Sequence, residues 1–119
     1  MKILVVDDEK IILDSCKLIL TASGFDVVLA KSADSALKVL ETQTPDILLM
    51  DVKMPDRDGI SLMGELKERF PKIPIVIMSG YMTQEVISES VKKGAIQVIA
   101  KPFTPDELVE VIQEVISEK

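Results

Sequence analysis

The chain has 119 residues, of which 47% are hydrophobic, and its formal net charge is −6 with no histidine at all. This size suits a single globular domain with one substantial core. The acidic balance argues against unaided binding to nucleic acid, which needs a clustered basic face. Without histidine the chain has no Ser/His/Asp catalysis, no imidazole metal site and no phosphohistidine of its own. No apolar run approaches a membrane span and no signal peptide precedes the first strand, so we expect a soluble, cytoplasmic protein.

Five short apolar runs alternate with segments of helical periodicity. The runs predict strands at residues 3–7, 25–30, 47–51, 75–79 and 98–101. Strict alternation of strands and helices favours right-handed crossovers, and so an α/β fold: a doubly wound, five-stranded parallel sheet with helices on both faces. We therefore expect one domain over residues 1–119, with no output domain.

The predicted helices carry apolar residues at spacings of three and four. In chain order these are Ile12, Cys16 and Ile19; Ala33, Ala36, Leu37 and Leu40; Leu62, Met63, Leu66 and Phe70; Val86, Ile87 and Val91; and Leu108, Val111, Ile112 and Val115. Gly24 and Gly94 follow the first and fourth helices, where glycine suits a left-handed turn. Thr104 and Glu107 predict a capping box for the last helix. The single cysteine lies on an apolar stripe and is interpreted as packing.

Four of the five runs end in residues capable of chemistry: Asp7 with Asp8, Asp51, Ser79 and Lys101. In parallel sheets the carboxyl ends of the strands meet at one edge, where binding sites form. Three neighbouring carboxylates repel one another, and a hydrated Mg²⁺ ion is a natural way to offset that repulsion. Lys101 and Ser79 would add a positive charge and a hydroxyl donor for a phosphoryl group. Asp51 could be the nucleophile and form an acyl phosphate.

Each of these residues also has an ordinary structural interpretation. Asp8 alone is best explained as the N-cap of the first helix, because aspartate is common there. Ser79 alone could be a turn hydroxyl, and Lys101 a solvated lysine. Their joint placement at strand ends favours the functional interpretation.

The chain resembles the receiver domains of two-component response regulators over nearly its whole length. The resemblance is carried, in order, by the segments KILVVDDE, DILLMDVKMPDRDG, IPIVIMSG and GAIQVIAKPF. It implies a flavodoxin-like three-layer sandwich with sheet order 2-1-3-4-5. It also implies that Asp51 is the phosphoacceptor, and that Asp7, Asp8, Asp51 and the backbone carbonyl of Lys53 bind Mg²⁺. Ser79 and Lys101 would then contact the phosphoryl group, and the Lys101–Pro102 bond would be cis.

Two further family positions concern switching and phosphoryl lifetime. Receivers usually carry an aromatic residue where this chain has Val98, so an aromatic rotamer switch is not available. Activation would instead depend on Ser79 moving toward the phosphoryl group and drawing the following loop and fourth helix with it. Tyr81 and Lys53 occupy positions that border the phosphoryl group. Tyr81 is either a shield against water or a half-exposed loop aromatic.

The implied partners are a histidine kinase or histidine phosphotransfer protein and a downstream protein target, with no direct contact to nucleic acid or membrane. The donor must dock over the pocket, where the apolar residues Ile11, Pro102 and Phe103 are candidates for contact. Ile12 is expected to be buried on its helix. The signal would pass on by conformational change or by onward phosphoryl transfer.

Two rival functions use the same kind of fold. A Mg²⁺-dependent phosphatase would use Asp51 as a turnover nucleophile, but such enzymes commonly carry a second acid two residues on, and position 53 is lysine. A flavin or nucleotide module would need a glycine-rich loop after the first strand. This chain has Asp7, Asp8 and Glu9 there, which would repel a dinucleotide.

Overall fold

The computed structural model describes residues 1–54 and 56–117. The strands are β1 (Lys2–Val6), β2 (Asp26–Ala30), β3 (Ile47–Asp51), β4 (Ile75–Ser79) and β5 (Ala95–Ala100). The helices are α1 (Lys10–Ala22), α2 (Ala33–Thr42), α3 (Gly59–Arg69), α4 (Gln84–Lys92) and α5 (Pro105–Ser117). Pro55 and the predicted domain end at residue 119 lie outside the described residues.

The strands form one parallel sheet in the order β2-β1-β3-β4-β5. This confirms the expected doubly wound fold. All residues of β3 and β4 are buried, as continuous apolar runs predict for central strands that are covered on both faces. The sheet order places β1, β3 and β4 side by side at the centre, so the residues after these strands share one edge.

Alternate residues of each strand pack into two separate cores. On one face, Leu4, Leu48 and Ile77 pack with residues of α2 and α3. On the other face, Val5 and Leu49 join residues of α1 and α5. Because successive side chains of a strand point to opposite faces, each strand packs against a helical layer on both sides of the sheet, and the result is the three-layer architecture.

Several predicted boundaries and faces need correction. β5 begins at Ala95 rather than residue 98, and β1 ends at Val6, so Asp7 lies just beyond it. Smaller shifts affect Phe25 and Phe70, which lie just outside β2 and α3. In α1 the buried residues are Leu13, Cys16 and Leu20, whereas Ile12 and Ile19 are only partly buried. The spacing rule found the helix and its buried Cys16 but chose Ile12 and Ile19 instead of the residue after each, because both residues of each pair are apolar and only packing decides between them.

Helix α4 is the other departure. Val91 was expected on its apolar face, yet that side chain is 57% exposed, and Ser90 is the buried residue. The buried residue of α4 is therefore small and polar, and the apolar residues Val86 and Ile87 are only partly buried. α4 thus buries fewer of its residues than the other helices do.

The residues at the helix ends have the conformations and hydrogen bonds that the sequence predicted. Gly24 and Gly94 have φ values of +93° and +109°, the left-handed region that favours glycine after a helix. In the capping box of α5, the Thr104 hydroxyl accepts from the Glu107 amide at 3.1 Å and the Glu107 carboxylate accepts from the Thr104 amide at 2.8 Å. Within residues 1–54 and 56–117, none of the helices has the length and apolarity to span a membrane.

Candidate functional site

The predicted chemical residues meet at the carboxyl edge of the sheet. Asp51 and Ser79 are the last residues of β3 and β4, and Asp7 and Lys101 follow directly after β1 and β5. Backbone hydrogen bonds continue the ladder past the strand ends: the Val52 amide donates to Met78 at 3.2 Å and the Lys101 amide to Ser79 at 2.8 Å. Four segments far apart in sequence are therefore held in fixed register at one site.

Lys101 lies at the centre of this site. Its ammonium is 2.6 Å from Oδ2 of Asp7, 3.2 Å from Oδ2 of Asp51 and 3.4 Å from Oε1 of Glu9. Its side chain is 11% exposed and that of Asp7 is fully buried. An ammonium has three N–H donors, so each of them has a carboxylate within reach. The interpretation of Lys101 as a solvated lysine is wrong.

The charges in the site perturb one another. Burial raises the pKa of the Asp7 carboxyl above its usual value, although the hydrogen bonds from Lys101 and from the Glu9 amide counteract it. Burial lowers the pKa of Lys101, but the hydrogen bond to Asp7 and the charges of Asp51 and Asp7 outweigh it, so that pKa stands above its usual value. Lys101 is therefore fully charged at neutral pH and offsets carboxylates that burial would otherwise penalise.

The acidic residues could hold a metal ion. Asp7, Asp8, Glu9 and Asp51 each offer a carboxylate oxygen, and these oxygens lie within 4.8 Å of one another. Hard oxygen donors of this kind fit Mg²⁺, which uses one or two carboxylates and keeps several waters. Asp8 is exposed and lines the pocket, whereas the N-cap of α1 is Glu9. The interpretation of Asp8 as that cap is therefore wrong.

The loop after Asp51 is drawn tightly against the site. The Lys53 amide donates to Oδ1 of Asp51 at 3.3 Å, which places the Lys53 backbone next to the carboxylate. The Gly59 amide donates to the Val52 carbonyl at 2.7 Å, and a Cβ on Gly59 would collide with that same carbonyl. Only glycine allows this close approach, so the loop can return to α3 without moving away from Asp51.

Ser79 is 2% exposed, and its hydroxyl is engaged with the backbone two residues on. The hydroxyl oxygen accepts from the Tyr81 amide at 3.0 Å and donates to the Tyr81 carbonyl at 3.2 Å. This is a turn hydroxyl, as the ordinary interpretation predicted, and it also lines the pocket. The two interpretations of Ser79 are compatible, because the residue makes the turn contacts and lines the pocket as well.

The pocket itself has a volume of about 260 Å³ and is lined by Asp8, Glu9, Asp51, Val52, Lys53, Ser79, Gly80, Tyr81 and Lys101. Tyr81 is 60% exposed, and the Lys53 ammonium lies 4.0 Å from the centre of its ring. This cation–π contact forms one wall of the pocket mouth. The space accommodates a phosphoryl group bordered by an ammonium, a hydroxyl and a carboxylate.

The profile of the response regulator receiver domain family matches residues 3–113. The chain belongs to the response regulator receiver family. Among curated relatives, the receiver is 34% identical to the DNA-binding transcriptional regulator NtrC of Klebsiella pneumoniae over 95% of its own length and 24% of that protein. It is 35% identical to the transcriptional regulatory protein ZraR of Escherichia coli over 97% of its length and 26% of that protein. The receiver thus spans about a quarter of these relatives.

Solved structures give the same answer for the fold. The receiver superposes with a TM-score of 0.93 on a CheY-like response regulator receiver domain protein from Methanospirillum hungatei, which is 35% identical; the match covers 98% of the receiver and 94% of that chain. NtrX from Brucella abortus matches with a TM-score of 0.94 and 34% identity, over 98% of the receiver and 27% of that chain. The fold and the family agree with the resemblance that the motifs carry.

Of the residues predicted to switch or to contact partners, Ser79 and Tyr81 line the receiver's pocket, and the remaining four lie outside its lining. Ile11 is 72% exposed on α1, and Pro102 is exposed beside the cis peptide bond between Lys101 and Pro102. Phe103 is partly buried and packs against the core on the α1 and α5 face. Val98 is partly buried against the opposite core.

Two residues with clear contacts, one at the receiver's site and one in the loop after β3, were missed from the sequence. Glu9 pairs with Lys101, and its position directly after the acidic pair was the available signal. Asp56, in the loop after β3, accepts hydrogen bonds from the amides of Ala33 and Asp34 at 3.2 and 3.1 Å. It fastens the loop to the N-terminus of α2, and no local pattern reveals a cap supplied from 22 residues away.

Proposed function

We propose that this receiver accepts a phosphoryl group on Asp51 from a phosphohistidine and transmits the signal by a change of its surface or by onward transfer. The single observation that carries the proposal is the contact between Lys101 and Asp51: a fixed ammonium lies 3.2 Å from the carboxylate that ends the central strand. Such a pair provides a nucleophile together with the positive charge that a transferring phosphoryl group requires.

The reaction needs little covalent work from the protein. One carboxylate oxygen of Asp51 forms a bond to phosphorus while the bond from phosphorus to the donor imidazole nitrogen breaks. The nitrogen keeps the electron pair. Lys101 and the Ser79 hydroxyl lie at the pocket wall, where they can bind the equatorial oxygens of the group in transfer. Positioning and charge stabilisation therefore supply the catalysis.

Mg²⁺ is the proposed cofactor, held by Asp7, Asp8, Asp51 and the backbone carbonyl of Lys53. It would supply positive charge to the phosphoryl oxygens. The cluster of carboxylate oxygens within 4.8 Å supports this assignment. Asp7, Asp8, Glu9 and Asp51 carry four negative charges, and Lys101 offsets one of them, so a divalent ion would offset much of the surplus.

The receiver promotes its own phosphorylation and dephosphorylation and turns over no separate substrate. A phosphatase would need an acid to protonate its leaving group, and the residue two beyond Asp51 is Lys53, whose ammonium rests on the Tyr81 ring. This disfavours the phosphatase. We also propose that the donor docks over Ile11 and Pro102. Phe103 is a weaker contact candidate because it is engaged in core packing.

The direct test is intact-mass analysis after incubation with Mg²⁺ and acetyl phosphate. The parent should gain the mass of one phosphoryl group, and the gain should require Mg²⁺. Asp51→Asn should gain nothing, while Asp14→Asn, an exposed acid of α1 outside the pocket, should behave as the parent does. A Mg²⁺-dependent adduct that persists in Asp51→Asn would refute the assignment of the acceptor.

A further inference from the structure

Glu9 makes a contact that no role at its own position requires. It occupies the N-cap of α1, but its side chain makes no capping hydrogen bond. Oε1 instead lies 3.4 Å from the ammonium of Lys101, which is 92 residues away in sequence. The Glu9 carbonyl accepts from the amides of Ile12 and Leu13, so the start of α1 is bonded through the backbone of Glu9 and not through its side chain. The side chain is thus directed at the site and not at its helix.

The surroundings of Lys101 show which of its contacts is easiest to release. Asp7 is fully buried and holds the ammonium at 2.6 Å, so separating that pair would leave a buried charge without a partner. The Asp51 carboxylate is the proposed nucleophile itself. The Glu9 side chain is 56% exposed and its distance is the longest of the three, so water can replace Lys101 there at little cost.

We propose that Glu9 is a positioning residue for phosphorylation: it engages the Lys101 ammonium in the resting protein, and Lys101 must release it to bind the incoming phosphoryl group. This inference rests on the proposed function. Because all three N–H donors of Lys101 have carboxylates within reach, a phosphoryl oxygen gains a donor only when one carboxylate gives it up. Glu9 acts through Lys101 and has no contact of its own with the reacting atoms.

The geometry allows contact and charge to be separated with two variants. Glu9→Gln removes the charge and weakens the contact. Glu9→Asp keeps the charge but shortens the side chain by one methylene, so it no longer reaches Lys101. Asp14→Asn is the matched control, because Asp14 is an exposed acid of α1 that pairs with Lys10. Neither Glu9 nor Asp14 is one of the proposed Mg²⁺ ligands, although Glu9 contributes an oxygen to the acidic cluster, so the comparison is made at saturating Mg²⁺.

The experiment measures phosphorylation of the 119-residue chain and its variants by acetyl phosphate at saturating Mg²⁺. Two quantities are compared: the maximal rate, and the acetyl phosphate concentration that gives half of that rate. We expect both Glu9 variants to raise the maximal rate about two- to fivefold, the range expected for release of a partly exposed ion pair. Glu9→Gln alone should also lower the half-maximal donor concentration, because it removes negative charge facing an anionic donor. NMR signals of the Lys101 side chain in the resting protein should shift in both Glu9 variants and not in Asp14→Asn.

The outcomes separate this inference from the function on which it depends. If the parent takes no phosphoryl group, the proposed function fails and the inference fails with it. If the parent is phosphorylated but Glu9→Asp matches it in maximal rate, charge alone matters and the positioning role is overturned. Equal or slower rates in both Glu9 variants, or unshifted Lys101 signals, also overturn it.

Discussion

The ammonium of Lys101 lies 2.6 Å from Oδ2 of Asp7, and this contact joins strands that are not neighbours. Two strands, β3 and β4, lie between β1 and β5 in the sheet. The lysine side chain therefore crosses the edge of the sheet and neutralises the most deeply buried acid of the site. One side chain thus serves both the stability of the fold and the electrostatics of the pocket.

Lys101→Met should destabilise the metal-free protein at neutral pH. The substitution keeps the length of the side chain but leaves the Asp7 carboxylate buried without its cation. Removing one partner of a buried pair typically costs several kcal/mol, and we expect a loss of roughly 3 kcal/mol in the free energy of unfolding. Urea denaturation in the presence of a chelator measures it. Lys10→Met, which removes an 83% exposed lysine, should change stability little, and equal effects of the two would contradict the argument.

The same variant should show a distinct pH dependence. The pKa of Asp7 in the folded parent stands above its usual value of 3.8, so the folded state binds that proton more tightly than the unfolded chain. Stability therefore falls as pH rises from 3.8 through the raised pKa. Lys101→Met removes the hydrogen bond and the positive charge that lower the pKa of Asp7, so that pKa rises further. The loss of stability with rising pH therefore continues to higher pH in the variant. The deficit relative to the parent should shrink as the solution is acidified toward pH 4; a constant deficit would point to lost packing alone.

Tyr81→Ala should shorten the lifetime of the phosphorylated receiver several-fold. The ring forms the pocket mouth together with the Lys53 ammonium, 4.0 Å from its centre, so we expect it to shield an acyl phosphate on Asp51 from water. The substitution leaves the backbone groups of Tyr81 that bond Ser79 in place, so it removes the shield alone. Following the decay of the phosphorylated mass after removal of the donor measures the effect. Met82→Ala, at the exposed neighbour, should decay like the parent, and so should Tyr81→Phe.

Asp56→Ala should loosen the N-terminus of α2. Partial desolvation raises the pKa of the Asp56 carboxyl, but the hydrogen bonds from the Asp34 and Ala33 amides outweigh it, so that pKa lies below its usual value of 3.8. The carboxylate therefore stabilises the fold above pH 3.8. This stabilisation is lost as the pH falls through the lowered pKa. Amide hydrogen exchange at Ala33 and Asp34 should become several-fold faster in the variant at neutral pH. Glu41→Ala, an exposed acid near the other end of α2, should leave both amides unchanged. Unchanged exchange in Asp56→Ala would show that Ser32, the local cap, suffices.

The parts of the fold and site that the sequence predicted are those with local signals. Buried parallel strands appear as apolar runs in the sequence, and the polar residue that ends each run marks the approximate end of the strand. The convergence of Asp51, Ser79 and Lys101 could therefore be predicted, because the carboxyl ends of parallel strands share one edge of the sheet. The capping box of α5 and the glycines after α1 and α4 were correct for the same reason: each is set by neighbours within a few residues.

The parts that could not be predicted depend on tertiary contacts. Which face of α1 is buried depends on whether Ile12 or Leu13 fits the adjoining core, and hydrophobicity does not distinguish them. The engagement of Glu9 with Lys101 spans 92 residues and that of Asp56 with Asp34 spans 22. The predicted β5 was too short because Gln97 and the exposed Ile96 interrupt its apolar run. In the structure, the backbone pairing with β4 includes residues on both sides of Ile96.

Ser90→Ala should stabilise the receiver. Ser90 is fully buried in α4, and its hydroxyl finds no hydrogen-bond partner within residues 1–54 and 56–117. A buried hydroxyl left unpaired typically costs about 1–3 kcal/mol, so its removal should raise the free energy of unfolding by about 1 kcal/mol beyond the gain from alanine's helix propensity. Ser88→Ala, at an exposed position of the same helix, isolates that propensity gain, and urea denaturation compares the two. A gain no larger than that of Ser88→Ala would mean that an ordered water satisfies the hydroxyl.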